Sequence, residues 1–370
     1  MDAAAPDQVR RAEDAVRRAV LLGGLAPTEA QAVRAAAGES GVATIEPASP
    51  GGPWFVLAGE AALERLGAAL EAFGQSDLGR RLRATLASYR RASFSIPFAD
   101  GGVWELGGRT SVMGVLNVTP DSFSDGGRYR DPAEAAEAAA RMTEEGADIV
   151  DVGGESSRPG SEPVSEDEEI RRVVPVVETL KKRPGARVCV DTRRASVARR
   201  AIGAGADMVN DVSAFGDPGM LEVVRASGVP AVAMHMRGRP RDMQRDTRYA
   251  DLMSVLVDFL SESVQKAVAA GVPDDKLIVD PGIGFGKSAE GNLEILRQLP
   301  TLRSVGRPVL IGASRKSFIG AALDLAVSER LEGSLAVAGL AAWQGAHVVR
   351  VHDVAATVRV VRMIDSVRNG

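Results

Sequence analysis

The feature that most constrains the fold is an eightfold alternation of short apolar segments and longer helical patterns, which runs from residue 111 to residue 367. Short continuous apolar runs are typical of strands buried on both faces of a parallel sheet. The predicted strands are 111–118, 148–153, 187–191, 208–212, 231–235, 277–281, 308–313 and 348–352. The helical patterns that follow them are 132–145, 166–183, 195–204, 217–227, 251–270, 289–299, 328–343 and 354–367. Eight βα units in about 260 residues have the size and order of a (β/α)8 TIM barrel. A doubly wound open sheet, the competing fold, would need fewer strands or a break within the series.

A β-hairpin is predicted directly before the first strand, at 93–109. Asp100-Gly101 lies between two segments in which apolar and polar residues alternate. Asp-Gly at such a position favours the tight turns that join antiparallel strands. We expect the hairpin to close the bottom of the barrel, and we therefore predict a barrel domain over 93–370.

Residues 1–92 differ in character and are predicted to form a separate, small α/β extension of unknown role. Helical patterns occur at 7–21, 60–73 and 77–91, and an apolar strand is predicted at Trp54–Ala58. This region has no net charge, with eleven basic and eleven acidic residues, and no spacing typical of a catalytic or metal site. Its helices carry apolar faces that must be buried. We expect it to pack on itself or on the barrel, away from the active face, and to stabilise or assemble the protein.

Composition excludes several classes of function. A net charge of −4 provides no basic field for nucleic acid, and no apolar run approaches the roughly 18 residues that a membrane span needs. The N-terminal residues mix acidic with basic side chains and lack the apolar core of a secretory signal. The only cysteine, Cys189, excludes an internal disulfide and a cysteine-cluster metal site. A cytoplasmic location is the natural interpretation.

All eight predicted strands end in polar or charged residues. These residues are Asn117, Asp151, Asp191, Asn210 with Asp211, His235, Asp280, the run Ser314–Ser317, and the run Arg350–Asp353. In a TIM barrel the carboxyl ends of the strands converge on one face, where active sites are built. Because burying so many polar groups is costly unless each finds a partner, we predict that this face binds a polar ligand.

The residue types indicate the chemistry of that ligand. Carboxylates and an amide suit a flat heterocycle with several N–H donors; they are Asp191, Asp280 and Asn210. Basic side chains suit a phosphate or diphosphate; they are Arg158, Lys316, Arg350 and His352. Asn117 offers a hard oxygen that suits Mg²⁺ better than zinc, and no histidine or cysteine set has zinc spacing. We predict structural roles for His235 and His347.

Two long loops follow the first two strands, at 119–130 and 153–164, and both are rich in Gly, Ser or Pro. Long loops at the active face are often lids, although a plain surface connection has the same composition. We expect both loops to be mobile without ligand and to be ordered by diphosphate and Mg²⁺.

At these positions the sequence resembles the dihydropteroate synthase family. The two long motifs are MGVLNVTPDSFSDGG at 113–127 and DVGGESSRPG at 151–160. Shorter ones follow in the family's order: VDT at 190–192, ND at 210–211, MHM at 234–236, DPGIGFGK at 280–287, SRKS at 314–317 and RVHD at 350–353. The resemblance covers roughly residues 111–370 and leaves 1–92 outside it.

The resemblance implies a transferase of folate biosynthesis. Such an enzyme joins 6-hydroxymethyl-7,8-dihydropterin diphosphate to 4-aminobenzoate and releases diphosphate and 7,8-dihydropteroate. It also implies Mg²⁺ as cofactor, sulfonamides as inhibitors and a homodimer, with neither nucleic acid nor membrane as partner.

By similarity, each part of the site receives its residues. The pterin would be bound by Asp191, Asn210, Asp280 and Lys316. The diphosphate would be bound by Asn117, Ser157, Arg158, Arg350 and His352, with Asn117 also the Mg²⁺ ligand. The 4-aminobenzoate would lie against Phe123, Asp125, Pro159 and Ser317. The catalytic residues would be Lys316, Arg350, His352 and Arg158. Ser157 stands where many family members have Thr, and the hydroxyl is kept.

Two other functions are compatible with a pterin-binding barrel. A methyltetrahydrofolate–corrinoid methyltransferase shares the pterin acids but should lack both the TPDSFSDGG loop and the SRKS turn. A non-catalytic pterin-binding regulatory protein would not need the residues that hold diphosphate. Release of diphosphate that depends on 4-aminobenzoate separates the synthase from both.

Overall fold

The fold is that of a computed structural model, which describes residues 18–22, 25–45, 54–118, 132–157 and 160–370. The chain divides into two compact units, Met1–Arg90 and Arg91–Gly370. Each unit is described by itself below.

The described residues of the first unit form a three-stranded antiparallel sheet and three helices. Its elements are β1 (Arg18–Leu22), α1 (Pro27–Ser40), β2 (Ala43–Ile45), β3 (Trp54–Ala58), α2 (Glu60–Ala72) and α3 (Ser76–Arg90). Strand β3 lies in the centre of the sheet, in the order β1–β3–β2. Apolar side chains of all three helices, among them Val33, Leu63 and Leu82, share one buried core. This unit therefore has a hydrophobic core of its own.

Two sequence predictions in this unit need correction. The helix predicted over 7–21 is wrong for 18–21, which belong to β1; residues 7–17 lie outside the described part. The apolar run of β1 pairs antiparallel with β3, from Arg18 opposite Ala58 to Leu22 opposite Trp54, so that strand pairing prevails over a local helical spacing. Helix α1 was not predicted, although Pro27 in its first turn and left-handed Gly41 after its end (φ 67°) are ordinary helix boundaries. The strand Trp54–Ala58 and the last two helices are confirmed.

The second unit is a barrel of eight parallel strands. The strands are β6 (Ser111–Asn117), β7 (Ile149–Gly153), β8 (Val188–Asp191), β9 (Met208–Asp211), β10 (Ala231–Met234), β11 (Leu277–Asp280), β12 (Leu310–Ile311) and β13 (Val348–Val351). Consecutive strands pair from β6 to β11, and β13 pairs with both β12 and β6. A parallel bridge between Val279 and Val309 joins β11 to β12 and completes the ring. The predicted TIM barrel is confirmed.

Helices surround the strands as predicted, with shifted boundaries. They are α4 (Pro132–Glu144), α5 (Glu166–Lys181), α6 (Ala195–Gly203), α7 (Met220–Ser227), α8 (Leu252–Ala269), α9 (Ala289–Arg297), α10 (Ser317–Leu323), α11 (Leu331–Trp343) and α12 (Val354–Asn369). Helix α7 begins three residues later than predicted because the carboxylate of Asp217 caps the turn before it, accepting from Gly219 N at 2.9 Å. The short helix α10 was not predicted. None of the helices in the described ranges is long and apolar enough to span a bilayer.

The predicted hairpin closes the bottom of the barrel. Strands β4 (Phe94–Pro97) and β5 (Val103–Leu106) pair antiparallel across the Asp100-Gly101 turn. Their apolar side chains, including Phe94, Ile96 and Leu106, form one buried cluster with a single residue from each barrel strand. Those eight residues are Met113, Ile149, Cys189, Met208, Val232, Ile278, Leu310 and Val348. The lower barrel is therefore filled and apolar, which leaves the carboxyl end for polar groups.

Candidate active site

A largely buried salt-bridge network crosses the carboxyl end of the barrel. From β13, Arg350 donates to two carboxylates: Nε lies 2.6 Å from Asp151 Oδ2, and Nη2 lies 2.7 Å from Asp191 Oδ2. Asp151 is fully buried. Burial raises the pKa of Asp191 to about 7, although the guanidinium opposes the shift. Strands β7, β8 and β13 therefore meet around a single cation.

Two acceptor oxygens remain unused beside this network. Asn210 on β9 donates from Nδ2 to Asp151 Oδ2 at 2.9 Å. Asn210 Oδ1 and Asp151 Oδ1 are both buried, and neither has a hydrogen-bond partner among the described residues. Buried acceptors without donors are rare in folded proteins, because each costs the solvation that it has lost. The pair is suited to a ligand that brings N–H groups.

Asp280, at the end of β11, adds a third carboxylate, which is buried. Its Oδ1 accepts from Gly282 N at 2.7 Å. Its Oδ2 lies on the side of Gly312, where a Cβ atom would stand 3.9 Å from Oδ2 and 3.7 Å from Arg350 Cβ. Desolvation raises the pKa of Asp280. The second oxygen therefore faces the same space as Arg350.

Lys316 approaches this space from the loop after β12. Its Nζ donates to Ile283 O and lies 4.5 Å from the centre of the Phe285 ring. Burial lowers the pKa of Lys316 to about 8, against the attraction of Asp280. The preceding residue, Arg315, has a left-handed backbone with φ 57°, and its guanidinium binds Asp353 bidentately at 2.8 and 2.6 Å. These bonds hold the strained turn that directs Lys316 inward.

The remaining described candidates border the same end of the barrel. His352 Nδ1 lies 3.1 Å from Ser314 Oγ. A Cβ atom placed on Gly153 would stand 3.6 Å from Asp191 Oδ2 and 3.7 Å from Asn117 Oδ1, so both oxygens border the end of β7. Ser157 lines a small cleft together with Asp191. Ser317 is the first residue of α10 and is exposed.

Four predicted site residues lie outside the described part of the chain: Phe123, Asp125, Arg158 and Pro159. The same holds for the whole of the first predicted lid, 119–130, and for the centre of the second, 153–164. Their roles therefore stay predictions.

Two histidines have internal structural contacts. His347 Nδ1 accepts from Val309 N at 3.1 Å, and its ring meets Phe94 edge-on at 5.0 Å. His235 packs edge-on against Phe259 at 4.8 Å. Burial lowers the pKa to about 4 for His347 and to about 3 for His235, so both rings are neutral at pH 7.

Sequence reasoning did not assign three residues that the structure brings to the site. Asp151 was noted only as a strand end, and Phe285 and Lys287 follow β11 within the GIGFGK loop. Buried Lys287 Nζ contacts His235 Nδ1, Gly282 O and Phe285 O, each at 2.9 Å. Burial lowers its pKa to about 7. The available signal was a lysine among alternate glycines beside a strand end.

The described carboxyl face thus combines three carboxylates, two of them buried, with an amide, an arginine and a lysine around one space. The family model described as "pterin binding enzyme" matches residues 113–352, which include every one of these groups. The chain belongs to the pterin-binding enzymes, a class built on this barrel.

Relatives of known activity narrow the class. The dihydropteroate synthases of Escherichia coli K12 and Bacillus subtilis are 44% and 47% identical to the chain, over 73% and 70% of its length and 95% and 90% of their own. A Yersinia pestis dihydropteroate synthase solved with a sulfonamide drug complex has a TM-score of 0.69 and 44% identity, over 71% of this chain and 95% of that one. The enzyme of Xanthomonas albilineans with 4-aminobenzoic acid has a TM-score of 0.70 and 43% identity, over 75% and 99%. The chain is thus a member of the dihydropteroate synthase family, the transferases that form dihydropteroate in folate biosynthesis, and neither alternative function is favoured.

Proposed function

We propose that the carboxyl face of the barrel condenses 6-hydroxymethyl-7,8-dihydropterin diphosphate with 4-aminobenzoate, and that the network around Arg350 binds the pterin diphosphate. The observation that carries this proposal is the pair of buried acceptors that find no donor in the described part of the chain, Asp151 Oδ1 and Asn210 Oδ1. A 2-amino-4-oxo pterin ring presents several N–H donors along one edge. Together with Asp280 Oδ2, these oxygens supply acceptors from three strands of the barrel for that edge.

The basic residues on the same face would take the diphosphate. Arg350 donates from Nε and Nη2 to carboxylates, so its remaining N–H groups can turn to phosphate oxygens. Lys316 and His352 lie at neighbouring strand ends, and we place Arg158 and Ser157 with them by similarity. An arginine that bridges the pterin carboxylates and the leaving group would hold both ends of one substrate.

The residues present also fit Mg²⁺. Asn117 offers a hard amide oxygen that borders the end of β7, as the carboxylate of Asp191 does. The described residues contain no group of three His, Cys, Asp or Glu side chains that could hold a metal. Mg²⁺ usually takes one or two protein oxygens and completes its shell with phosphates and water. When bound, the ion would neutralise charge on the departing diphosphate.

The proposed chemistry needs no protein nucleophile. The bond between the methylene carbon and the bridging oxygen breaks, and its electron pair leaves with the diphosphate. The pterin ring delocalises the resulting positive charge, and the amine nitrogen of 4-aminobenzoate then forms the new C–N bond and loses a proton. Buried carboxylates stabilise the developing cation, and Arg350, Lys316 and His352 stabilise the developing anion.

We place the amine substrate over Ser317, with Phe123, Asp125 and Pro159 completing its subsite. Sulfonamides resemble 4-aminobenzoate, and the related Yersinia pestis enzyme was solved with a sulfonamide drug complex. They should therefore compete with 4-aminobenzoate and not with the pterin.

The deciding experiment for the proposed function is diphosphate release by the purified protein, which should require both the pterin diphosphate and 4-aminobenzoate. Diphosphate release that is independent of 4-aminobenzoate, or no turnover at all, would refute the proposal.

We further propose a homodimer, a cytoplasmic location and a stabilising role for residues 1–92. Most of the large exposed apolar side chains of the barrel unit lie between residues 323 and 367 of the sequence: Leu323, Val327, Leu340, Trp343, Met363 and Val367. Exposed apolar surface of this kind supports contact with a second subunit, and sedimentation equilibrium measures the assembly state. The reduced, buried Cys189 is compatible with a reducing compartment. The separate core of the first unit supports an accessory role for it.

A further inference from the structure

In the loop between β11 and α9, backbone carbonyl groups accept hydrogen bonds from side chains. Five consecutive carbonyl groups, from residue 282 to residue 286, each accept a hydrogen bond from a side chain. The donors to these five oxygens, in chain order, are Lys287, Lys316, Gln244, Lys287 and Tyr249. Loops that lack helix or strand bonds must find such partners when buried. Side-chain donors therefore define the shape of this loop.

Lys287 is the central donor from the buried side. The residue is 2% exposed. It bonds to Gly282 O and Phe285 O and to His235 Nδ1, all at 2.9 Å. An ammonium has three N–H donors, and here all three are used. The acceptors come from the ends of β10 and β11, so the cation ties two strand ends together.

The glycines of the loop leave little freedom for another arrangement. Gly282, Gly284 and Gly286 all have left-handed backbones, with φ of 67°, 83° and 66°. A Cβ atom on Gly282 would clash with His235 O, and one on Gly286 would stand 2.6 Å from Arg237 O. The loop therefore packs directly against the backbone of the residues that follow β10.

The opposite side of the loop faces the proposed pterin site. Ile283 O accepts from Lys316, and the Phe285 ring lies under the same ammonium group. Lys287 bonds the carbonyl of Phe285 itself and that of Gly282, the residue before Ile283. Asp280 is anchored at the entrance of the loop through Gly282 N. A shift of the loop would therefore move three contacts of the site at once.

We propose that Lys287 is a positioning residue for pterin binding: its buried ammonium holds the 281–286 loop so that Asp280, Ile283 O and Phe285 meet Lys316 and the pterin. Lys287 itself does not touch the substrate. The inference rests on the proposed function, because it concerns the same site. A purely structural lysine would affect thermal stability and leave the affinity of the folded protein unchanged.

The test compares Lys287→Met and Lys287→Ala with the parent chain. Titration calorimetry with 6-hydroxymethyl-7,8-dihydropterin measures affinity, and steady-state kinetics separates KM from kcat for both substrates. We expect pterin binding to weaken roughly 100-fold, about the loss of one hydrogen bond to a charged group such as Asp280. KM for the pterin diphosphate should change more than KM for 4-aminobenzoate. Lys276→Met is the matched control, because Lys276 also bonds a backbone carbonyl, Gly228 O, but just before the opposite end of β11. It should leave pterin affinity unchanged.

Chemical rescue supplies a readout that fold stability alone does not give. Lys287→Ala leaves a space for three carbons and an ammonium, so propylammonium should restore at least about tenfold of the lost affinity. Tetramethylammonium has no N–H group and should restore nothing, and Lys287→Met, which keeps the space filled, should not respond to either. Unchanged pterin affinity in a folded Lys287 variant, or equal recovery with both cations, would overturn the proposal.

Should the Met and Ala variants fail to fold, Lys287→Gln takes their place, since its amide keeps two donors. Reduced pterin affinity would support the proposal, and unchanged affinity would overturn it. The parent chain is measured first. If it binds no pterin, the proposed function fails before the role of Lys287 comes into question.

Discussion

Replacing Asp280 by Asn tests the pterin site most directly, because the structure fixes how the new side chain would lie. Gly282 N donates to Asp280 Oδ1 at 2.7 Å, and an asparagine would keep its own oxygen in that position. Its amide nitrogen would then stand where Asp280 Oδ2 now faces the site. A ring N–H donor of the pterin would meet an N–H donor instead of a carboxylate oxygen.

The expected loss follows from this orientation. A hydrogen bond to a charged group contributes about 1.5–3 kcal/mol, and a buried donor left without a partner costs about 1–3 kcal/mol. The lower ends of these ranges sum to about 2.5 kcal/mol, which is roughly 70-fold in the dissociation constant. We therefore expect Asp280→Asn to bind 6-hydroxymethyl-7,8-dihydropterin at least that much more weakly.

Titration calorimetry on the folded variant measures the effect. Asp148→Asn is the control, because Asp148 also accepts from a backbone amide, Val112 N at 2.8 Å, but at the opposite end of the barrel. It should alter the melting temperature only. If Asp280→Asn binds the pterin as tightly as the parent chain, Asp280 does not accept from the ring, and the proposed orientation of the pterin is refuted.

Four further predictions concern the rest of the molecule. Arg350→Ala should raise KM for the pterin diphosphate and lower kcat together, since the leaving group gains charge in the transition state. A change in KM for 4-aminobenzoate alone would show that Arg350 does not belong to the diphosphate subsite. Calorimetry should detect tight 4-aminobenzoate binding only with diphosphate and Mg²⁺ present, and equal affinity without them would contradict an ordered assembly of its subsite. Removing residues 1–92 while keeping the hairpin should leave turnover within about tenfold, or ~1.4 kcal/mol in barrier, and an inactive but folded truncation by circular dichroism would show that the extension contributes to the site. His347 stays neutral in the folded protein down to about pH 4, whereas the unfolded chain binds its proton near pH 6.5. Between these values His347 lowers the unfolding free energy as pH falls, by up to about 1.4 kcal/mol per pH unit. Urea unfolding of His347→Gln should be less sensitive to acid by that amount, and an unchanged pH slope would contradict a buried, neutral ring.

The barrel could be predicted from sequence because two independent patterns coincide in it. Each buried strand is a short apolar run, and each run ends in a polar residue that belongs to the carboxyl face. The strand at Arg18–Leu22 shows the limit of this reasoning. Its alanine, valine and leucines are compatible with a helix, and only pairing with Trp54–Ala58, more than thirty positions away, makes it a strand.

The direction of each side chain at the strand ends was less predictable. Neighbouring residues of a strand point to opposite sides, so Asn210 faces the site while Asp211 turns away. Asp211 accepts from Ser213 N and Phe215 N, at 2.8 and 2.9 Å, and so holds a turn with left-handed Ala214 and Phe215. Strand-end position alone did not distinguish a ligand contact from the support of a turn. Lys287 was missed for a related reason, since it lies beyond the strand end and acts on the backbone.

The shared guanidinium gives the proposed site a property that separate pterin and phosphate pockets would lack. Arg350 forms salt bridges with two carboxylates, Asp151 and Asp191. Without this arginine, both carboxylates would lie near Asp280 without the cation that pairs with them. In the proposed mechanism, the departing diphosphate also binds the Arg350 guanidinium. The salt bridges from Arg350 to the two carboxylates then weaken while positive charge develops on the pterin. The carboxylates are then better able to stabilise that cation. Departure of the leaving group and stabilisation of the cation would thus be coupled through one side chain, which is the physical reason to expect Arg350→Ala to lower kcat as well as to raise KM.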